Sequence, residues 1–177
     1  HRYWNAEWQK ADGTSPWAQP EPWVEEHAAA LEPGSRVLDL GAGIGRHALA
    51  FARKGHHVTA LDAAGAAVAA IDAAAFAEGL DIETVEAPMT RLPFDDAAFD
   101  HVLAWNVIYH GDEIVVRRTL AEVARVLRPG GTFMATMLSA RRLPVEQARA
   151  PGREISRNCW VFDGPGDKVH PHYFCTA

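Results

Sequence analysis

Cysteine is scarce in this sequence: Cys159 and Cys175 are the only two among 177 residues. They show no metal-ligand spacing, which argues against a disulfide framework or a cysteine-based metal centre, and both read as reduced bystanders. Long apolar runs are also missing. No stretch approaches the roughly 20 residues of a membrane span, and the alanine-rich stretch 63–77 is interrupted by Asp72 and reads as a helix. Basic charge is in deficit, with 17 Lys and Arg against 23 Asp and Glu and a net charge of −6. That balance disfavours nucleic acid and anionic membrane surfaces as partners. No signal peptide is visible, and a cytoplasmic setting is expected. The chain starts at His1 without a methionine, so its native start reads as missing. Internal repeats and low-complexity tracts are absent apart from the alanine bias. Hydrophobic content of 48% and charged content of 23% are ordinary for a soluble chain. The length suits one domain over 1–177 with a substantial core.

What is present is concentrated in residues 37–62. Val37-Leu38-Asp39-Leu40 runs into Gly41-Ala42-Gly43-Ile44-Gly45, and a second short strand over 57–61 ends at Asp62. Strand, glycine turn, helix and second strand ending in an acid about twenty residues on is the spacing of a nucleotide-binding βαβ unit. Glycines let backbone approach a ligand closely, and a carboxylate at Asp62 can accept both hydroxyls of a ribose. The dinucleotide fingerprint G-x-G-x-x-G is not met, because its last position is Arg46. A pyrophosphate would also sit badly beside Asp39, whereas a cationic, phosphate-free ligand would be favoured. Two readings of each acid stay open here. Asp39 can serve the ligand or cap the following helix, and Asp62 can hold a ribose, cap the alanine-rich helix, or do both.

Patterning predicts strands over 36–40, 57–61, 81–86, 99–105 and 132–138. Helices are expected over 22–31, 47–54 and 63–78, and one carries Val116, Leu120, Val123 and Leu127 on its apolar face. The apolar face of the 22–31 helix would hold Trp23, Val24, Ala28 and Leu31. Arg117, Arg118, Glu122 and Arg125 take the outer face of the later helix, which Pro129-Gly130-Gly131 stops. This alternation means a doubly wound, mostly parallel α/β sheet with helices on both faces. Pro16, Pro20 and Pro22 break up a Trp-rich N-terminal segment over 1–32.

Asp39-x-Gly41-x-Gly43-x-Gly45 with Asp62 resembles the first motif of class I S-adenosylmethionine-dependent methyltransferases. Leu92-Pro93-Phe94-Asp95, Phe99-Asp100-x-Val102 and Leu127-Arg128-Pro129-Gly130-Gly131 resemble later segments of the same family, in the same order. The resemblance covers 33–138, the expected cofactor-binding core. It implies a Rossmann-like fold, S-adenosylmethionine as cofactor and S-adenosylhomocysteine as product. The family normally adds two more strands, so the chain looks truncated, with 139–177 left as a substrate-side hairpin or lid. In that family the acid and glycines surround the methionine moiety. The resemblance therefore implies cofactor contacts at Asp39, Gly41, Ala42, Gly43, Gly45, Asp62, Ala63, Met89, Thr90 and Asn106. Family members often carry an acid before the hydrophobic adenine residue, where this chain has Pro88 before Met89.

Methyl transfer asks mostly for alignment, which contributes about 7–11 kcal/mol, so catalytic residues should be faint. The segment 105–110 follows the fourth strand, beyond which ligands bind in such sheets. Tyr109 and His110 are therefore candidates for catalysis and acceptor binding, with His110 either a general base or a helix cap. His170 and His172, in a hairpin pairing 158–162 with 169–174, are further acceptor-side candidates. Small-molecule methyltransferases of the tellurite-resistance-like type carry a similar His-Tyr/Phe stretch and a segment like Ile108-Tyr109-His110. No spacing establishes a metal site among His110, His170 and His172, and none is assigned. Trp17 is the candidate for cation–π contact, and Trp4 and Trp8 read as one apolar helix face. Arg46 reads as a surface or substrate-side residue. The expected partner is a small-molecule methyl acceptor. An NAD(P)-dependent oxidoreductase and a non-catalytic nucleoside-binding module are the alternatives. The first lacks a Tyr-x-x-x-Lys, and an amino-group DNA methylase lacks its Pro-Pro-Tyr-type sequence.

Overall fold

The computed structural model describes residues 2–11, 15 and 17–176; Pro16 lies outside them. Five parallel strands form the main sheet: β1 (Arg36–Leu40), β2 (His57–Asp62), β3 (Ile82–Glu86), β4 (Phe99–Ala104) and β5 (Leu127–Ala135), in the order β3-β2-β1-β4-β5. Six helices are named here: α1 (Arg2–Trp8), α2 (Pro22–Ala30), α3 (Arg46–Arg53), α4 (Gly65–Glu78), α5 (Glu113–Val126) and α6 (Leu143–Arg149). Among the described residues none is long and apolar enough to cross a membrane.

Alternate strand residues point to opposite faces, and both faces are covered. Leu38, Leu40, Val102 and Ala104 pack with Val116, Val123 and Val126 of α5 on one side. Val37, Val58, Ala60 and Leu103 pack with Val24, Ala28, Phe51 and Ile71 of α2, α3 and α4 on the other. Two expected core positions fail. Trp23 is 70% exposed and Leu120 is 40% exposed, because Val24 and Ala28 of α2, and Val116, Val123 and Val126 of α5, already fill those contact faces.

Boundaries shift where pairing outweighs local signals. Leu127 leaves α5 and pairs with Phe99, so the Pro-Gly-Gly segment lies inside an irregular β5 rather than before it. Leu138 belongs instead to a second sheet, ordered β6-β9-β8-β7. Its strands are β6 (Leu138–Ser139), β7 (Gly152–Ser156), β8 (Cys159–Phe162) and β9 (His172–Cys175). The expected β8–β9 pairing is present and antiparallel; β7 was not anticipated. Glu122 and Arg125 are more than a solvated face. Glu122 accepts from the Leu92 amide at 2.7 Å, and Arg125 donates to the Leu92 and Phe94 carbonyls at 2.9 and 2.7 Å. These bonds fasten the loop following Met89 and Thr90 to α5.

Candidate active site

A cavity of about 630 Å³ opens beyond the carboxyl ends of β1, β2 and β4, at the point where the strand order reverses direction from β1. Gly41, Ala42, Gly43, Asp62, Ala63, Met89, Thr90 and Asn106 line it, as do Trp17, Tyr109, His110 and His170. Asp39 and Gly45 do not.

Gly41 ends β1 with φ +71°, and the Val107 side chain occupies the place a Cβ would take. A glycine is therefore required twice over, by conformation and by space. The turn amides are spent internally. Gly41 and Ala42 donate to the Leu61 carbonyl, Gly45 donates to Ala42, and Gly43 donates to Asp62 Oδ2 at 2.9 Å. Asp62 Oδ1 accepts from Ala64 at 2.9 Å. Asp62 thus ties the turn to the start of α4, while a carboxylate retains lone pairs for further donors. The amides of Gly41, Ala42, Gly43 and Gly45 are therefore not available to a pyrophosphate.

Asp39 is 1% exposed, and its Oδ2 has no hydrogen-bond partner. Burial, aided by the nearby Asp62 charge and opposed by an Ala48 backbone hydrogen bond and by Arg46, pushes its carboxyl up to about 7. A cationic group bound above it would favour the ionised form. Asn106 sits just beyond β4 at φ +57°, unusual for a residue with a side chain. It is held by Thr136, whose hydroxyl accepts from the Asn106 amide at 2.7 Å and donates to Asn106 Oδ1 at 3.0 Å.

The remainder of the cavity comes from the ends of the described chain. Trp4 and Trp8 of α1 stack at 5.2 Å, and Trp17 meets both rings edge-on at 6.5 and 6.3 Å. The shared apolar face expected for Trp4 and Trp8 exists, and it faces the cavity. Trp8 also packs on Gly43, and Asn5 Oδ1 accepts from Ala66 at the first turn of α4. Of its two expected places, the surface or the substrate side, Arg46 takes the inner one and lines the cavity. Its side chain is 10% exposed, it donates to the Gln19 carbonyl at 3.1 Å, pairs with Glu21 at 3.5 Å and lies over Trp17 at 5.5 Å. Its role is to hold the N-terminal segment down. His47, also unforeseen, lines the cavity, accepts from the Glu21 amide and is kept neutral by burial and by Arg46, which push its imidazole down to about 3.

On the opposite wall, His110 packs against Trp4 at 5.5 Å and His170 against Tyr3 at 5.3 Å. Burial and the Asp167 charge raise the Tyr109 phenol far above its usual range, so Tyr109 can donate a hydrogen bond but is a poor base. His172 departs from its expected place. It is fully buried and does not line the cavity, because β9 carries it inward to pair with His110 in a β-bridge. Asp167, which belongs to no sequence motif, lies within reach of both histidines, at 3.5 Å from His110 Nε2 and 3.1 Å from His172 Nε2.

The residues present fit S-adenosylmethionine: an unpartnered buried carboxylate under the turn suits a sulfonium or ammonium, Asp62 suits a ribose, and the Gly41 turn leaves room for close approach. Comparison with known proteins agrees. A family described as "Methyltransferase domain" matches residues 37–131. The chain is 38% identical over 109 residues to a sarcosine/dimethylglycine N-methyltransferase of Halorhodospira halochloris, covering 60% of this chain and 38% of that protein. It therefore spans well under half the length of such curated relatives. The crystal structure of a methyltransferase from Methanosarcina mazei superposes with a TM-score of 0.71 at 22% identity, covering 88% of this chain and 79% of that one. The cyclase SpnF superposes with a TM-score of 0.61 at 30% identity, covering 71% and 48%. With the motif, the strand order and the family match in agreement, the chain belongs to the class I methyltransferase-domain family, whose cofactor is S-adenosylmethionine.

Proposed function

We propose that the protein transfers a methyl group from S-adenosylmethionine to a small-molecule acceptor. The observation that carries this reading is the double engagement of Asp62 by the Gly43 and Ala64 amides, which fixes its carboxylate in the cavity wall between the glycine turn and the start of α4, where it suits a ribose. In this reading Gly41, Ala42 and Gly43 flank the methionine part, with Asp39 acting from below. Asp62 and Ala63 take the ribose, and Met89 and Thr90 flank the adenine. Bound there, the cofactor supplies an electrophilic methyl on a sulfonium and leaves as a neutral thioether. The protein's own residues orient and shield. Asn106, fixed by Thr136, aligns the methionine end. Trp4, Trp8 and Trp17 exclude water and offer aromatic faces to a cation. His110 contacts the acceptor and accepts its proton where the acceptor has one to lose. Tyr109 and His170 shape the acceptor side.

The relative acting on sarcosine and dimethylglycine supports a small acceptor. The acidic balance of the chain, −6, supports one other than nucleic acid. Residues 33–138 serve as the cofactor-binding core, with 1–32 and 139–177 covering the acceptor side of one domain. A cytoplasmic setting is part of the reading, supported by two unpaired cysteines. Calorimetric titration with S-adenosylhomocysteine, NAD and NADP tests it. Micromolar binding of the first alone is expected, and dinucleotide binding would overturn it in favour of hydride transfer. Cofactor binding without turnover across an acceptor screen would leave a nucleoside-binding module.

A further inference from the structure

Three ligand groups converge beside the cavity: one ring nitrogen each of His110 and His172 and one carboxylate oxygen of Asp167, within 4.8 Å of one another, and it is the Nε2 atom of each histidine that faces Asp167 Oδ2. The histidine tautomers are set by what lies behind them. His110 Nδ1 lies 3.0 Å from the Val107 carbonyl and His172 Nδ1 lies 2.9 Å from the His170 carbonyl. A carbonyl only accepts, so each Nδ1 carries the proton. A neutral imidazole at either position therefore aims its Nε2 lone pair at Asp167 Oδ2, which is also an acceptor. Two lone pairs facing one carboxylate oxygen call for a cation between them, either a proton on an imidazole or a metal ion.

The geometry favours the metal as well as the proton. Zinc bonds of about 2.0–2.2 Å place neighbouring ligand atoms of a tetrahedron about 3.3 Å apart. The two Asp167 contacts, 3.1 and 3.5 Å, bracket that separation. An Nδ1–H donated to a backbone carbonyl is also the outer contact that orients metal-bound histidines. Burial differs across the trio in a useful way. His172 is fully enclosed, whereas His110 and Asp167 reach the cavity, so further coordination positions would open toward the acceptor. The surroundings are mixed in charge: Lys168 Nζ lies 4.0 Å from the other Asp167 oxygen, and the phenols of Tyr3 and Tyr109 lie near enough to feel the Asp167 charge. His170, which sequence reading grouped with His110 and His172, instead packs against Tyr3, and Asp167 takes its place.

We propose that His110, Asp167 and His172 form a two-histidine, one-carboxylate site for a divalent transition-metal ion, zinc foremost, with open positions facing the acceptor half of the cavity. Imidazole donors suit zinc and its neighbours rather than magnesium. An ion there would bind an oxygen, nitrogen or sulfur of the acceptor and favour its deprotonated form; with the ion bound, His110 Nε2 is a ligand with no lone pair to spare, so the ion replaces it as the group that eases loss of the acceptor's proton. That role rests on the methyl-transfer reading; the presence of the site does not.

The experiment is titration of the chelator-treated full chain with Zn²⁺ by calorimetry and with Co²⁺ by absorption. One equivalent should bind at micromolar affinity or better, with visible cobalt bands of a nitrogen and oxygen site. Asp167→Asn and His110→Ala should each weaken binding by about 100-fold or more, at the upper end of what even outer-shell changes cost. His57→Ala, on the exposed edge of β2, should bind normally. Thermal melts of each variant report folding independently, and His110→Ala, at a half-buried position, guards against misfolding of a buried-site change. Failure of the folded chain to bind either metal would overturn the proposal, as would equal binding of Mg²⁺ or binding indifferent to Asp167→Asn. Titration with S-adenosylhomocysteine in the same samples is read separately, so loss of the cofactor reading and loss of the metal site are distinguishable.

Discussion

The two ends of the cavity are built in opposite ways. The cofactor end is made of the sheet itself: strand termini, a glycine turn with four amides bonded inside the protein, and a carboxylate held by the Gly43 and Ala64 amides. The acceptor end is assembled from the flanks. Helix α1 has no buried residue, and aromatic packing of Tyr3 on His170 and of Trp4 on His110 joins it to the His–Asp–His cluster. A wall made of core strands inherits the rigidity of the core, whereas one made of lightly packed segments opens at lower free energy. Changes at the first end should therefore harm affinity and stability together. Changes at the second should alter turnover while leaving the fold largely intact.

The largest effect should come from Gly41→Ala. A Cβ there collides with Val107 at φ +71°, and backbone strain alone costs about 1–3 kcal/mol. Both the melting temperature and the affinity for S-adenosylhomocysteine should fall, the latter by about 100-fold, equivalent to about 3 kcal/mol. Normal values for both would show that the turn is more plastic than the sheet beneath it.

Asp62→Ala comes next. It removes two backbone contacts and charge-assisted bonds to a ribose, so cofactor affinity should weaken by about tenfold or more. Unchanged affinity in calorimetry would remove Asp62 from the site. On the other side of the comparison, His110→Ala should cut turnover by about 100-fold, within the usual range for a positioned proton acceptor, with cofactor affinity nearly unchanged. Equal turnover would place His110 outside the chemistry.

Asp39 gives a pH test. Unfolded, its carboxyl has a value of 3.8; folded, burial first of all lifts it to about 7. Between those values the folded chain holds the extra proton, so stability falls as pH rises through the window and the cost is complete above it. Three units correspond to about 4 kcal/mol. His47 and His101 act oppositely. Burial pushes them down from 6.5 to about 3 and about 4, so their contribution is present above 6.5 and lost as the solution becomes acidic. The clean measurement is a difference: urea unfolding of Asp39→Asn against the unaltered chain should show the variant gaining relative stability from pH 5 to pH 8. A parallel pair of curves would mean that the carboxyl is ionised throughout. The smallest effect is expected at Trp23→Ala, exposed on α2, within about 0.5 kcal/mol in stability.

Legibility in the sequence followed the same division. The parallel strands, the glycine turn and Asp62 could be placed from local pattern, because a βαβ unit couples residue spacing to position in space, whereas Met89 and Thr90 were legible through the family resemblance. Asp167, Thr136 and His47 could not, since each matters through a partner 57, 30 or 26 residues away in sequence. Trp23 and Leu120 fitted helical periodicity and still point to solvent, because periodicity marks a face without telling which of its residues finds a neighbour.

The sequence by itself determined the doubly wound sheet and the cofactor end, where apolar alternation, glycine and carboxylate spacing act over short distances along the chain. The tertiary structure alone decided the acceptor end. Only folding brings α1 over the glycine turn, turns His172 inward and sets Asp167 between two histidines, because those contacts join segments with no periodic relation and depend on long-range packing to meet.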